Sequence, residues 1–134
     1  MGADIEPGAT VHGGGYVTNP SNLRLGRGTF INRNCYLDLE GPLILGRNVS
    51  VGHGTTFVTA WHDIATAENR AGPTLARSIE VGDGTWFGCN VTVLPGVVIG
   101  RGAVIGARSL VVRDVPDNAV VTGSPAKVQR ILDS

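Results

Sequence analysis

The sequence predicts an all-β protein, a parallel β-helix whose coils are triangles of very short strands built from six-residue repeats. Three observations carry this expectation. Large apolar residues recur at every sixth position, a small or β-branched residue stands four places after each of them, and glycine often follows the large residue directly.

The large residues come first. Stepping by six from Val81 meets Phe87, Val93, Ile99, Ile105 and Val111. The same step from Leu25 meets Ile31, Leu37 and Leu43, and from Leu45 it meets Val51 and Phe57; Ile5, Val11 and Val17 open the chain in the same way. Against an apolar background of 42%, an unbroken run of six arises by chance roughly once in two hundred. Such a period fits neither an α-helix, which repeats at about 3.6 residues, nor a long strand, which repeats at about 2. It fits a coil with three sides, in which the large residue points inward from each side.

The small residues then mark the corners: Thr29, Cys35, Gly41, Val49, Thr55, Thr85, Val91, Val97, Ala103 and Ser109. A glycine such as Gly26, Gly82 or Gly100 supplies backbone freedom where the chain turns. Three sides make a coil of 18 residues, the length of 25–42, 45–62, 81–98 and 99–116. Coils of this kind stack by parallel pairing at about 4.8 Å.

Two interruptions point to function, because a scaffold breaks its own rule where something else is needed. Continuing the step from Phe57 lands on Asp63 and Asn69, which cannot fill a core position, so about 62–77 reads as a protruding loop with His62 at its root. The period also stops after Pro116. Gly123, Ser124 and Pro125 make a turn, and Ala126 to Leu132 has helical spacing, so a short C-terminal helix is expected to cap the open end over about 123–134.

The totals narrow the function. The 134 residues suit a single domain, 1–134. Lys plus Arg and Asp plus Glu are both 11, so no net field draws the protein to nucleic acid or to a membrane surface, and a bound anion must be met by a local patch. Met1 to Pro7 carries no apolar run, so a cytoplasmic protein without membrane insertion is expected. Cys35 and Cys89 read as free thiols. The histidines are 12, 53 and 62; their spacing argues against zinc, and no metal is expected. His12 and His53 read as solvent-facing, and the Gly-x-Gly pairs as corners, since no long helix follows them.

The ordered set of motifs resembles a known family. Thr59-Ala60-Trp61-His62 before the loop, Val81-Gly82-Asp83-Gly84-Thr85-Trp86-Phe87-Gly88, Pro95-Gly96-Val97-Val98-Ile99-Gly100, Val104-Ile105-Gly106-Ala107 and Gly123-Ser124-Pro125-Ala126-Lys127-Val128 are similar to stretches of the galactoside and maltose O-acetyltransferases and of related capsule-type polysaccharide acetyltransferases. The resemblance runs from about Tyr16 to the end. It implies a left-handed parallel β-helix of hexapeptide repeats and a homotrimer with active sites between subunits. The implied activity is transfer of an acetyl group from acetyl-CoA, as cosubstrate, to a hydroxyl of a sugar or polysaccharide precursor.

Residue by residue, the resemblance makes His62 the catalytic base, a task suited to a neutral imidazole at physiological pH. It makes Asn32 and Glu40 acceptor-binding residues. Cys89 falls where a Ser or Gly contacts the thioester end of CoA, and a backbone N–H near Gly88 or Cys89 would meet the developing oxyanion. Trp86 would wall the pantetheine arm, and Ala107, Val112, Arg113, Lys127 and Arg130 fall at CoA-contacting positions, the basic three suiting phosphate. Three departures stand out: Val112 replaces a frequent Thr, the helical segment that opens the galactoside enzymes is missing, and the short chain is closer to the capsule-type enzymes. The alternatives are a serine or antibiotic hydroxyl as acceptor, or a trimeric scaffold without catalysis.

Overall fold

In the computed structural model, which describes residues 2–134 and leaves Met1 outside, the inward residues line a three-sided parallel β-helix. Face A stacks Asp4–Ile5, Leu23–Leu25, Leu43–Leu45, Ile79–Val81 and Val98–Ile99. Face B stacks Thr10–Val11, Phe30–Ile31, Ser50–Val51, Trp86–Phe87, Val104–Ile105 and Ala119–Gly123, and face C stacks Tyr16–Val17, Tyr36–Asp38, Thr56–Val58, Thr92–Val93 and Leu110–Val111. We number the coils 1 to 6 in the order in which they occur on face B.

The six-residue columns end where the pattern places them. Ile31, Val51, Phe87 and Ile105 are in register on face B, and all are buried. Phe57 and Phe87 meet edge to face in the centre, with ring centroids 5.5 Å apart. The corner residues Thr29, Thr55, Thr85 and Ser109 are also buried, and their hydroxyls tie one coil to the next. Thr29 Oγ1, for example, donates to Gly46 O at 2.6 Å, and Thr85 Oγ1 donates to Gly100 O at 2.9 Å. Among the described residues no buried side-chain polar atom lacks a partner, which is why threonine is tolerated there. Only coil 1 departs: Ile5 is 47% and Val11 44% exposed, because their strands are the edges of the stack.

Two expectations, the uniform coil length and the C-terminal helix, are corrected, and the protruding loop gains strands of its own. The 18-residue coil holds only between coils 4 and 5, where Val81 pairs with Ile99 and Val93 with Val111; at the top Ile105 pairs with Val121, an offset of 16. Lower down, Leu25 pairs with Leu45 and Ile31 with Val51, an offset of 20 residues. The corner between faces C and A takes up the extra two, with Leu39 and Leu43 both buried beside it.

The protruding loop is an antiparallel hairpin, Ala60–Ile64 with Ala71–Ala76, so its backbone groups pair with each other once they leave the helix. The C-terminal helix is absent. Ala126–Ile131 is a strand, antiparallel to Ala119–Gly123 and carried past the end of face B. Seven residues are too few to nucleate a helix alone, while the strand edge presents unpaired backbone groups. The cap survives in another form, with Ala126 packed against the core. Among the described residues no helix is long and apolar enough to cross a membrane.

Candidate active site

The hairpin leaves the helix between coils 3 and 4, at the corner between faces C and A. Trp61 and Leu75 pair across it, as do His62 and Thr74 on its other face. Trp61 and Arg77 line a cleft of about 310 Å³ with Leu94, Pro95 and Val112, and the Arg77 guanidinium lies 5.1 Å from the Trp61 ring centroid. This anchors the hairpin root and leaves His62 exposed.

The tautomer of His62 follows from its neighbour. Nδ1 lies 2.8 Å from the carbonyl oxygen of Gly72. A carbonyl only accepts, so Nδ1 carries the hydrogen, and in the neutral ring Nε2 keeps its lone pair free. Thr74 Oγ1 stands 3.5 Å from the same nitrogen, at the outer edge of a hydrogen bond. The hairpin backbone therefore fixes the orientation of the imidazole. The sequence singled out His62 but neither Gly72 nor Thr74, because only the hairpin register brings residues 10 and 12 places away alongside it.

The other predicted residues fall on two corners. Between faces B and C the register stacks Asn32, Gly52, Gly88 and Gly106, and beside them Arg33, His53, Cys89 and Ala107. Backbone bonds lock this column: Gly54 N–H donates to Arg33 O, Asn90 N–H to His53 O and Arg108 N–H to Cys89 O. Asn32, Gly88, Cys89 and Ala107, up to 75 residues apart in sequence, thus come to lie on one corner, in two adjacent columns with Gly52 and His53 between. Asn32 Oδ1 accepts from the Arg33 N–H at 2.8 Å, which turns its side chain into the corner.

Glu40, Val112 and Arg113 belong to the corner between faces C and A, with His62. Glu40 is exposed, and its backbone carbonyl accepts from Asn22 Nδ2 at 3.2 Å. Arg113 and Lys127 line a second cleft of about 310 Å³ at the top of the helix, floored by Val115, Val121 and Val128. Asp114 lies there too, but its Oδ1 accepts from Val98 N–H at 2.9 Å. Two cations over an apolar floor fit a phosphate-bearing ligand. Trp86 and Arg130 stand apart from them, in one outward ladder on face B that runs Trp86, Val104, Val120, Arg130. Trp86 is 57% exposed there.

Height along the axis sorts the candidates. Asn32 and Glu40 lie in coil 2, below the hairpin; Cys89, Ala107, Val112, Arg113 and Lys127 lie above it. His62 stands at the boundary. Across the axis they are split, because one side of the triangle, roughly 20 Å at about 3.3 Å per residue, separates the Cys89 corner from the next. His12 and His53 are on the Cys89 corner and His62 is not, and among the described residues no three His, Cys, Asp or Glu side chains could hold a metal ion together.

The architecture is thus a three-sided coil of six-residue repeats that throws out one histidine-bearing hairpin. Residues 78–113 match the family model described as bacterial transferase hexapeptide (six repeats). The chain is 34% identical to a Vibrio cholerae hexapeptide-repeat acetyltransferase solved with acetyl-CoA, with a TM-score of 0.81 over 96% of this chain and 73% of that one. It is 42% identical, over 84% of its length, to a Staphylococcus aureus protein named provisionally as an acetyltransferase. It is 36% identical over the same share to the galactoside O-acetyltransferase of Lactococcus lactis. The chain belongs to the hexapeptide-repeat acetyltransferase family. It spans 57% and 54% of the length of those two curated relatives.

Proposed function

We propose that this protein transfers an acetyl group from acetyl-CoA to a hydroxyl of a sugar or polysaccharide precursor, with His62 as general base. The observation that carries this reading is the bond from His62 Nδ1 to Gly72 O, which leaves Nε2 as the free base at the boundary between the two groups of candidate residues. The similarity to the galactoside enzyme and to the acetyl-CoA-bound structure supports the two substrates.

The chemistry asks little of the chain, since a thioester is already activated. Asn32 and Glu40 would hold the acceptor so that its hydroxyl meets Nε2. As the oxygen attacks the acyl carbon, Nε2 takes its proton, and the imidazolium then returns that proton to the departing thiolate. The Cys89 or Gly88 N–H would steady the oxyanion that forms between these events. Arg113, Lys127 and Arg130 would hold phosphates, with Ala107, Val112 and Trp86 along the pantetheine arm, and Cys89 contacts the ligand rather than acting as nucleophile.

The separation of corners supports a homotrimer as the working unit. If the Cys89 corner of one subunit faces the His62 hairpin of the next, acceptor residues meet acceptor residues and donor residues meet donor residues, because both corners carry them at the same heights. The test is CoA release over a panel of free saccharides, nucleotide sugars and small hydroxylated metabolites, with the mass in solution measured alongside. Turnover with a sugar that falls at least a hundredfold in His62→Ala is the expected result. Unchanged turnover in that variant, or a monomer of full activity, overturns the reading.

A further inference from the structure

We propose that the acceptor is an anionic saccharide, and that Arg33 and His53 read its negative charge. This rests on the acetyltransferase reading above and names the substrate class of the same site. The observation is an imbalance between corners. In the corner between faces A and B, Arg27, Arg47 and Arg101 are matched in number by Glu6, Asp83 and Asp117. Those carboxylates accept backbone N–H groups of the arginines themselves: Arg27 N–H donates to Glu6 Oε1, Arg47 N–H to Asp83 Oδ1 and Arg101 N–H to Asp117 Oδ1, at 2.9, 2.8 and 3.0 Å. Charge there is balanced and used to hold the coils.

The corner between faces B and C is different. Residues 12–15, 32–35, 52–55, 88–91 and 106–109 include no aspartate or glutamate, yet they include Arg33, His53, His12 and Arg108. Arg33 and His53 are both exposed and stacked directly on one another, one coil apart at about 4.8 Å. Among the described residues no side chain bonds the Arg33 guanidinium. In a chain whose formal charge is zero, this leaves a local positive column without an internal partner.

Its position decides what it meets. Cys89 is the next apex above His53, and Asn32 directly precedes Arg33, so the column begins where the thioester end would sit and runs downward along the acceptor side of the His62 boundary. The phosphates of CoA are provided for elsewhere, at the Arg113 and Lys127 cleft above. An acceptor lying along the lower corner presents its carboxylate or phosphate to a planar guanidinium suited to either group. The imidazole of His53 adds a donor one coil nearer the reacting hydroxyl.

The test compares kcat/KM for a methyl galacturonoside, its uncharged methyl ester and galactose 6-phosphate, with acetyl-CoA saturating. The wild type is expected to favour at least one of the two anions over the ester by tenfold or more, the favoured one identifying carboxylate or phosphate as the group read. Arg33→Gln should bring that ratio towards one, Arg33→Glu should invert it, and Arg27→Gln, in the balanced corner, should leave it alone. Equal use of anion and ester by the wild type, a ratio unmoved in Arg33→Gln, or a rise in the KM for acetyl-CoA instead, overturns the inference and leaves the acetyltransferase reading standing. Transfer to none of the three, with no CoA released in the wider saccharide panel, overturns both.

Discussion

Gly54 and Gly84 have almost the same backbone, with φ at 72° and 75°, but different neighbours one coil up. A Cβ built on Gly84 meets nothing within 4 Å, whereas one on Gly54 runs into Oδ1 of Asn90. The left-handed conformation costs a residue with a Cβ about 1–2 kcal/mol, so Gly84→Ala should lose about that much. Gly54→Ala adds an overpacking cost of roughly 1–3 kcal/mol. At about 3–4 °C per kcal/mol for a chain of this size, the two variants should melt about 3–8 °C and about 6–20 °C below the parent. Thermal unfolding followed by circular dichroism, with urea titration as a second measure, reads the difference. Asn90 itself has φ at 55°, which glycine adopts freely, so Asn90→Gly removes the obstructing oxygen at little cost. In the double variant Gly54→Ala/Asn90→Gly the loss should return towards that of Gly84→Ala, a coupling of at least about 1 kcal/mol. Equal melting of the two alanine variants, or strict additivity in the double variant, would refute the idea that asparagine on one coil packs over glycine on the coil below.

Three other outcomes are expected. Gly72→Ala places a Cβ 2.8 Å from Asp63 O and 3.0 Å from Ala65 Cβ, so the hairpin must shift and the carbonyl holding His62 Nδ1 moves with it. kcat should fall about 10- to 100-fold with little change in melting temperature, whereas a purely structural role would lower stability and leave the kcat–pH profile unchanged. Arg113→Ala and Lys127→Ala should each raise the KM for acetyl-CoA roughly tenfold or more, the worth of a charge-assisted hydrogen bond, and Arg130→Ala, on face B, should raise it less. A disulfide-exchange reagent should label Cys89 in the folded protein and Cys35 only on unfolding, since Cys35 is buried and Cys89 half-exposed. Burial also pushes the Cys35 thiol up. That stabilisation is fully present below the unfolded thiol's ordinary value and is lost as pH climbs through the raised folded one, so Cys35→Ala should flatten the alkaline loss of stability measured by urea titration.

Much of the architecture could be read because each column of the repeat meets the same surroundings at every level. Phe87, Ile99 and Ile105 report one inward environment, and Thr85, Val91 and Ala103 report one kind of corner, so counting recovers both. His62 was legible through its context and through the failure of the period at Asp63 and Asn69. The hairpin strands were not, since their pairing depends on register between Trp61 and Leu75 rather than on a local pattern. Nor was the final strand: Val128 and Ile131 sit at helical spacing, and what overrides it is the open edge of Ala119–Gly123. A turn of Gly, Ser and Pro between two segments containing β-branched residues was the signal that favoured a second hairpin.

The sequence by itself determined the period, the identity of inward and corner residues, the places where the period fails and the histidine at one of them. Those properties are local, each written within six residues and repeated. Only the tertiary structure decided which residues stand together. The 20-residue offset below, the offsets of 18 and then 16 above and the inserted hairpin between them set the register that stacks Asn32, Gly88 and Cys89 on one corner and leaves His62 on the next. Register is a sum over every residue between two positions, including the insertion, so no window of sequence contains it. It is what stacks Arg33 on His53 and orients His62 through the Gly72 carbonyl.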